Sequence, residues 1–379
     1  MWPALISLGV VSLLVSLLTT ALMIRVAPGL GFVDKPGGRK IHAQPKPLLG
    51  GVGIVAGFTL PLLVGMSAAH LFGDAIVRTL STVPDIDALV SGVQGQSPLT
   101  LGFVGGILAL HALGLIDDRR ALGAMPKLLV QLLIAAVLVV GFDVRAMHFL
   151  DAAVGGPWLS WLLTVFWIVA ITNAFNFLDN MDGLSAGVGA VATSAFLVAA
   201  ASIGQWFVAA TLVCLLGALL GFLWWNFPPA RIFMGDSGSM VIGFILGVLT
   251  VRTTFLQPGQ TFAAGWYVVF APLLVLALPL YDLVVVSIIR IAARRSPFVG
   301  DTNHFSHRLV RRGMSKRTAV LCLYLVTAST SVSAIVLPHV TSELAALALF
   351  VQTVLALAVV ALLEQHPLPP PTKHETNGN

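Results

Sequence analysis

Long apolar runs recur along the whole chain and are separated by short segments that hold most of the polar residues. The first run, from Ala4 to Ile24, contains no ionisable side chain. A helix needs about 20 mainly apolar residues to cross the hydrocarbon core of a bilayer. The pattern therefore predicts an all-α, polytopic membrane protein with about 11 transmembrane helices, near residues 4–24, 47–66, 99–116, 126–141, 157–175, 184–202, 207–225, 237–255, 265–291, 317–336 and 343–363.

Two of these runs, 47–66 and 126–141, are short or rich in glycine, so we expect them to tilt, break or re-enter the same side of the membrane. The first run is not predicted to be a cleaved signal peptide, because no Lys or Arg precedes it and no small-residue cleavage site follows. Residues 1–363 are predicted to form one integral membrane domain. Residues 364–379 are rich in proline and are predicted to be a disordered cytoplasmic tail.

The composition agrees with a membrane protein. Only 10% of the residues are charged, whereas 57% are hydrophobic. Soluble domains carry about 25% charged residues, which excludes an ordinary water-soluble enzyme. The two cysteines, Cys214 and Cys322, both fall within predicted helices. They therefore indicate neither a disulfide framework nor a metal site.

The positions of the basic residues predict the orientation. When the connections between the 11 predicted helices are assigned alternately to the two membrane sides, only Arg78, Arg145 and Arg252 of the 21 Lys and Arg residues fall on one side. Short cytoplasmic loops collect Lys and Arg, so the N-terminus is predicted outside and the C-terminus in the cytoplasm, in the cell inner (plasma) membrane. The net charge of +5 is thus a topology signal, and no nucleic-acid partner is expected.

Acidic residues collect on the same predicted side. Carboxylates next to hydrocarbon are costly and are usually functional. Several apolar helices that each deliver acids to one face indicate a shared anionic site. The residues at or near cytoplasmic helix ends are Asp34, Asp117, Asp118, Asp179, Asp182, Asp236, Asp282 and Asp301. Among them Asp282 approaches mid-membrane depth, and it is interpreted as an anchor for helix packing.

The adjacent pair Asp117 and Asp118 closes the third predicted helix. Two neighbouring carboxylates repel one another, and a hard cation such as Mg²⁺ relieves the repulsion by taking oxygen ligands from both. A polar cap at the membrane interface is an equally good interpretation of this pair taken alone.

A second motif places polar residues at every third position: Asn173, Asn176, Asp179 and Asp182. Neighbouring pairs lie on adjacent turns of a helix, but a straight helix would rotate the first and last to opposite sides. A tightened or broken helix end would keep all four together. Packing explains four amide and carboxylate side chains poorly, so this motif is predicted to be functional.

The segment from Asn226 to Ser239 connects two predicted helices, and Asp236 begins the second one. Backbone N–H groups at a helix start can hold phosphate oxygens, and the Asp236 carboxylate would complete a metal site. The alternative is that Asp236 only caps the helix.

Two basic segments face the same predicted compartment. His304, His307 and Arg308 are suited to a diphosphate or a sugar, and a positive-inside loop would explain the arginine but not the histidines. Lys40 and His42 lie in a segment rich in Gly and Pro and are candidate substrate-binding residues, with attraction to anionic headgroups as the alternative. Acids and cations together suit a phosphate substrate held through Mg²⁺, with a lipid that arrives from the bilayer.

The order of these motifs resembles the polyprenyl-phosphate N-acetylhexosamine-1-phosphate transferases, of the bacterial undecaprenyl-phosphate GlcNAc-1-phosphate transferase type in glycosyltransferase family 4. The resemblance covers roughly residues 1–336. It rests on Gly-Leu-Ile-Asp-Asp at 114–118, Lys127 with Gln131, Asn-x-x-Asn-x-x-Asp-x-x-Asp-Gly at 173–183, Phe-x-Gly-Asp-x-Gly-Ser at 233–239 and the His-containing segment. It implies a helical membrane fold that joins a polyprenyl phosphate to a UDP-sugar and releases UMP, the first membrane step of cell-envelope polysaccharide synthesis.

The resemblance also implies roles for matching residues. The implied acids around Mg²⁺ (or Mn²⁺) and the diphosphate are Asp117, Asp118 and Asp236. The implied lining of the nucleotide and metal pocket is Asp179, Asp182, Asn173 and Asn176. The remaining implied substrate contacts are Phe233 stacked on uracil, Asn226 in the pocket, Lys127 on a phosphate, and His304, His307 and Arg308 on sugar and phosphate.

The histidine segment bears on the sugar. Relatives often have His-x-His-His, whereas Ser306 occupies one of those positions here, and the three consecutive histidines of the muramoyl-pentapeptide branch are absent. UDP-GlcNAc is therefore the favoured donor among UDP-N-acetylhexosamines. The expected chemistry is direct attack by the lipid phosphate on the β-phosphorus, and the division of metal-ligand and base roles between Asp117 and Asp118 stays open, as does a homodimer.

Two other functions compete with this one. Gly-Asp-Ser-Gly at 235–238 fits the nucleophile motif of rhomboid-like intramembrane proteases, but the later histidines lie in a loop and the acids would be unexplained. A membrane transporter of an anionic substrate would need coupling residues at mid-membrane depth, where only Asp282 and Arg252 are candidates.

Overall fold

The computed structural model describes residues 1–34, 45–253, 266–296 and 304–365, and most of these residues are helical. The α helices of these residues are α1 (Trp2–Val26), α2 (Gly50–Thr79), α3 (Ile86–Gly95), α4 (Ser97–Arg119), α5 (Ala124–Gly141), α6 (Asp151–Val154), α7 (Trp158–Leu178), α8 (Leu184–Ser202), α9 (Trp206–Asn226), α10 (Asp236–Arg252), α11 (Ala271–Val275), α12 (Ala277–Ala292), α13 (Phe305–Arg311), α14 (Lys316–Val336) and α15 (Glu343–Gln365). Short 3₁₀ turns cover His148–Leu150, Trp266–Phe270 and Leu337–His339.

One short antiparallel ladder accompanies the helices. It joins β1 (Val33–Asp34) to β2 (Lys46–Pro47), with Val33 opposite Pro47 and Asp34 opposite Lys46. The all-α class is otherwise confirmed over the described residues.

Nine of the described helices are long and apolar enough to cross a membrane, or ten spans if a bent pair counts as one. Within the described ranges this is one span fewer, by length, than the predicted number of about 11. The difference is α10, whose 17 residues extend only about 26 Å at 1.5 Å per residue, less than a hydrocarbon core of about 30 Å. The chain is thus a multi-pass membrane protein.

Two predicted spans differ in shape from the expectation. The run near 47–66 is not short, because α2 continues to Thr79, with non-helical backbone at Phe72. The run near 265–291 is broken: Trp266–Val275 and Ala277–Ala292 meet at an angle of 68°.

The short helix α10 lies at the centre of the bundle, where it packs against α2, α4, α7, α8 and α9. Its residues from Ser237 to Thr250 are all buried. Small residues let the neighbouring backbones approach its first turn. A Cβ added at Gly114 of α4 would lie 2.3 Å from the Ser237 Cα, and one at Gly51 of α2 would lie 2.6 Å from the Gly238 amide nitrogen. The start of α10 is therefore held by backbone contact on two sides.

Candidate active site

The carboxylate of Asp118, at the end of α4, binds the first turn of α10. Its Oδ1 accepts a hydrogen bond from the Asp236 N–H at 2.8 Å, and its Oδ2 accepts one from the Ser237 N–H at 3.2 Å. Gly235 permits this approach, because its φ is +72° and a Cβ there would lie 2.4 Å from the Asp118 Oδ2. Asp118 therefore caps α10 from a neighbouring helix.

The next two N–H groups of α10 are also satisfied. The N–H groups of Gly238 and Ser239 donate to the Gly235 carbonyl at 3.1 and 3.0 Å. The N–H groups of Asp236, Ser237 and Gly238, which lack an i−4 partner within the helix, are thus all bonded within the protein. Their binding of phosphate oxygens stays a prediction. Asp236 does not cap the helix with its own side chain.

Lys127, in the first turn of α5, joins two of the predicted acids. Its Nζ donates to the Asp117 Oδ2 at 3.0 Å and to the Asp236 Oδ2 at 2.7 Å. The Asp117 Oδ1 accepts from the Leu122 N–H at 2.8 Å. These side chains are 13 to 26% exposed, so a ligand can reach them. The helices α4, α5 and α10 thus converge on one ammonium group.

Asn176 attaches the last turn of α7 to the same place. Its Nδ2 donates to the Asp236 Oδ1 and to the Ser239 Oγ, both at 2.9 Å. Asn173, one turn earlier, instead donates to the Gln131 Oε1 at 2.6 Å and to the Val169 carbonyl at 2.8 Å. Of the two predicted asparagines, only Asn176 contacts the acidic cluster.

The helix α7 ends inside its own motif, so the expected break in the helix is present, although Asn173 does not join the acids. Leu178 is the last helical residue and Asp179 follows it. Burial raises the pKa of Asp179 well above its ordinary value of 3.8, and the charges of Asp236, Asp118 and Asp182 raise it further. Three other carboxylates therefore lie close enough to affect the charge of Asp179.

Asp182 and Asn226 hold the loop between α9 and α10. The Asp182 Oδ2 accepts from the Ala230 N–H at 2.9 Å. Asn226 is 3% exposed; its Oδ1 accepts from the Gly183 N–H and its Nδ2 donates to the Ile232 carbonyl, both at 2.8 Å. The amide of Asn226 is thus used within the protein, and its predicted substrate contact stays a prediction.

Phe233 lies in the same loop, which pairs with the segment before α2. Its N–H donates to the Pro47 carbonyl at 2.9 Å, and its carbonyl accepts from the Gly50 N–H at 3.0 Å. The side chain is partly exposed. Its stacking on uracil stays a prediction.

The histidine segment folds back onto α7 and α12. His304 is 5% exposed, and its Nδ1 lies 2.7 Å from the Oδ2 of Asp282, which is fully buried. Ser306 donates from its hydroxyl to the side-chain oxygen of Asn180. Asp282 thus does more than pack helices together, because it binds a predicted site residue.

The other two residues predicted in this segment have different surroundings. The Arg308 Nη2 lies 2.8 Å from the Glu364 Oε2, so its guanidinium is paired with the last helix. Its contact with sugar or phosphate stays a prediction. Burial lowers the pKa of His307 from 6.5 to about 4, and the charges of His304 and Arg311 lower it further. His307 is therefore neutral near pH 7.

The predicted metal site is not preassembled. No group of three or more His, Cys, Asp or Glu side chains within the described ranges is arranged to hold a metal ion. The set Asp117, Asp118 and Asp236 therefore stays a prediction. Lys40 and His42, like the predicted acid Asp301, lie outside the described residues.

Comparisons with known proteins identify the family. Residues 100–254, which include the acids of α4, α7 and α10, match Glycosyl transferase family 4. The chain is 32% identical to the probable undecaprenyl-phosphate N-acetylglucosaminyl 1-phosphate transferase of Bacillus subtilis (strain 168), over 90% of this chain and 87% of the relative. The chain belongs to glycosyl transferase family 4. The sequence-based resemblance is thereby confirmed.

Two further relatives extend the match across bacteria. The decaprenyl-phosphate N-acetylglucosaminephosphotransferase of Mycolicibacterium smegmatis is 35% identical, over 84% of this chain and 78% of its own. The undecaprenyl-phosphate alpha-N-acetylglucosaminyl 1-phosphate transferase of Salmonella typhimurium is 29% identical, over 80% of this chain and 76% of its own. This family 4 transferase is therefore similar to these enzymes over most of its length.

His111 contacts the transferase site without having been predicted there. Its ring Nδ1 donates to the Ser237 carbonyl at 2.8 Å. Helix α4 therefore binds both backbone polar groups of Ser237, through Asp118 and through His111. A signal existed in the sequence, because His111 lies two turns before Asp118 and hence on the same helix face.

Proposed function

We propose that this transferase moves GlcNAc-1-phosphate from UDP-GlcNAc to a polyprenyl phosphate, giving polyprenyl-diphospho-GlcNAc and UMP. The names of the relatives from Bacillus, Mycolicibacterium and Salmonella support both the sugar and the class of lipid. Undecaprenyl phosphate is the proposed acceptor, as for the Bacillus and Salmonella relatives. The basic residues support a site on the cytoplasmic face of the inner membrane.

The observation that carries this proposal is the position of Lys127 between Asp117 and Asp236. Phosphoryl transfer mainly requires that groups be positioned and that charge be neutralised. An ammonium group fixed by two carboxylates is a positioned cation, and its partial exposure leaves it open to a phosphate oxygen. Asn176 fixes the orientation of the Asp236 carboxylate through its second oxygen.

The donor chemistry fits a hard divalent cation. Asp117, Asp118 and Asp236 are the proposed ligands of Mg²⁺, which Mn²⁺ could replace, because such cations prefer carboxylate oxygens. Burial and then the charges of Asp236, Asp118 and Asp182 raise the pKa of Asp179, and a bound cation would offset the charge of these carboxylates. When bound, the metal would neutralise charge on the diphosphate.

The proposed reaction forms one phosphoanhydride bond and breaks another. An oxygen of the lipid phosphate attacks the β-phosphorus of UDP-GlcNAc, the bond between the α- and β-phosphates breaks, and UMP leaves. Lys127 would stabilise charge on the phosphates. Asp117 or Asp118 would accept the proton of a singly protonated lipid phosphate, whereas a dianionic phosphate needs no base.

The test is release of UMP by the purified full-length protein. It is incubated with undecaprenyl phosphate, Mg²⁺ and, in turn, UDP-GlcNAc, UDP-GalNAc and UDP-glucose, with and without EDTA. We expect UMP release with UDP-GlcNAc. EDTA should abolish this release, and the Asp151→Asn variant should retain it. Asp151 pairs with Arg145 away from the acids and is therefore a suitable control. No UMP from folded protein with any donor would overturn the proposal.

The alternatives gain no support. Ser237, the nucleophile of the protease hypothesis, is fully buried, and its hydroxyl donates to the Met234 carbonyl at 3.4 Å. His111 bonds the carbonyl of Ser237 and not the hydroxyl. The family is one of transferases, which removes the reason to propose a transporter. The homodimer stays a prediction.

A further inference from the structure

Asp282 of α12 holds the start of α13 with both of its carboxylate oxygens. Its Oδ2 lies 2.7 Å from the His304 Nδ1, and its Oδ1 accepts from the Phe305 N–H at 3.2 Å. The residue is fully buried. A buried carboxylate is tolerated when its oxygens are hydrogen-bonded, and here each oxygen has its own donor.

This arrangement determines which ring nitrogen of His304 is engaged. A carboxylate only accepts hydrogen bonds, so the His304 Nδ1 carries a proton and donates it. The other ring nitrogen, Nε2, is then the atom left for a ligand. Carboxylates that bind one histidine nitrogen in this way select the tautomer and orient the ring.

The oriented ring stands against the last turn of α7. The His304 ring meets the edge of Phe177 at 5.8 Å between centroids, with an interplanar angle of 88°. Phe177 directly follows Asn176, which binds Asp236. The neighbouring Ser306 is bonded to Asn180 of the same motif. The segment of His304 is therefore attached to the end of α7 that also delivers the site residues.

We propose that Asp282 is a positioning residue of the transferase, which acts through His304 by fixing its protonated nitrogen and its ring plane so that Nε2 meets the substrate. The proposal rests on the proposed function, since it assigns His304 to that site. A purely structural role would be the competing explanation, because Asp282 also binds the first N–H of α13.

A double-mutant cycle separates these explanations. Asp282→Asn keeps the volume of the side chain and one accepting oxygen but removes the charge, and His304→Asn removes the ring. Asp282→Asn is expected to lower kcat by about tenfold or more, with KM changed by less than about threefold. In the His304→Asn background the same change is expected to lower kcat by less than about twofold.

The reverse pattern would overturn the proposal. If Asp282→Asn keeps kcat within about twofold of the wild type, or if the two losses multiply in the double variant, Asp282 does not act through His304. Asp143→Asn, an acid that pairs with Arg145 at the other end of the bundle, is the matched control and is expected to keep full turnover.

A spectroscopic readout does not depend on turnover. In protein labelled with ¹⁵N-histidine, the wild type is expected to give a strongly deshielded Nδ1 proton that His304→Asn removes and Asp282→Asn shifts. Folded wild type without that proton would contradict the proposal. A wild type that releases no UMP but shows the proton would instead refute the proposed function, so the two failures are distinguishable.

Discussion

The Nζ of Lys127 lies 2.7 Å from the Oδ2 of Asp236, although the two residues are 109 positions apart in the chain. The same ammonium group reaches Asp117. Two carboxylates that would otherwise repel one another are therefore held together by one cation. This relationship fixes a positive charge among the carboxylates of the proposed site.

Lys127→Met is expected to lower kcat by about 100-fold, because loss of one positioned electrostatic contact has about that effect. Lys127→Arg keeps the charge and is expected to retain more activity than Lys127→Met. UMP release measures both. Arg78→Met, which removes an exposed cation at the end of α2, is the control. Equal turnover in Lys127→Met and Arg78→Met would contradict a role for the ammonium.

Gly235→Ala is expected to destabilise the protein more than Gly123→Ala. Each glycine precedes a helix with nearly the same backbone, φ 72° and ψ 175° at Gly235 and φ 79° and ψ 169° at Gly123. This region is nearly exclusive to glycine, and either substitution costs about 1–3 kcal/mol of strain. Only at Gly235 would the new Cβ also meet Asp118, whereas nothing lies within 4 Å of one at Gly123.

Thermal unfolding followed by tryptophan fluorescence measures this difference. The free energy of unfolding is expected to be lower by about 1 kcal/mol more in Gly235→Ala than in Gly123→Ala, because a helix cap usually contributes about that much. A Tm for Gly235→Ala equal to or above that for Gly123→Ala would show that Asp118 does not cap α10.

Asp179→Asn is expected to stabilise the protein at neutral pH in the presence of EDTA. The pKa of Asp179 is raised in the fold, so its protonated form is favoured there. Asp179 makes its full contribution to the free energy of unfolding at a pH below its pKa in the unfolded chain. This contribution is lost as the pH rises through the pKa of Asp179 in the folded protein. The asparagine resembles the protonated form and removes this loss.

The measurement is Tm against pH for both proteins. The Tm advantage of Asp179→Asn over wild type is expected to grow as the pH rises from about 4, near the unfolded pKa of an aspartate. An advantage that shrinks over that range would show that the pKa is not raised.

His307→Gln is expected to reduce acid sensitivity. Burial lowers the pKa of His307 from 6.5 to about 4, so the folded protein binds fewer protons than the unfolded chain between these values. The contribution of the neutral ring to stability is present above pH 6.5 and is lost as the pH falls toward 4. As the pH falls across that window, the Tm of the wild type should therefore decrease more than the Tm of His307→Gln. Parallel curves for the two proteins would refute the shift.

The helical membrane fold was predictable, because it follows from local composition. Apolar runs long enough to cross a bilayer have few alternatives in lipid, and α1, α8, α9 and α14 begin and end close to the predicted positions. The bend between α11 and α12 was not predictable, because both halves are equally apolar. The shortness of α10 was missed, since its apolar run continues past Arg252 into residues outside the described ranges.

The sequence predicts a set of candidate site residues but not their contacts. Spacing within one helix identified Asn176 and Asp179, since periodicity reports which side chains share a face. It could not show that Asn226 and Asp182 accept hydrogen bonds from backbone N–H groups. Nor could it show that Arg308 pairs with Glu364, or that Asp118 rather than Asp236 caps α10. Each of those contacts joins positions far apart in the chain.

The sequence by itself determined the class of the protein, the approximate helices and the family, because each of these depends on local composition or on the order of motifs. The tertiary structure alone decided which acid meets which cation and which histidine nitrogen is engaged. Those outcomes depend on how helices pack, and packing is set by close contacts such as that of Gly114 on Ser237, which no pattern along one chain segment contains.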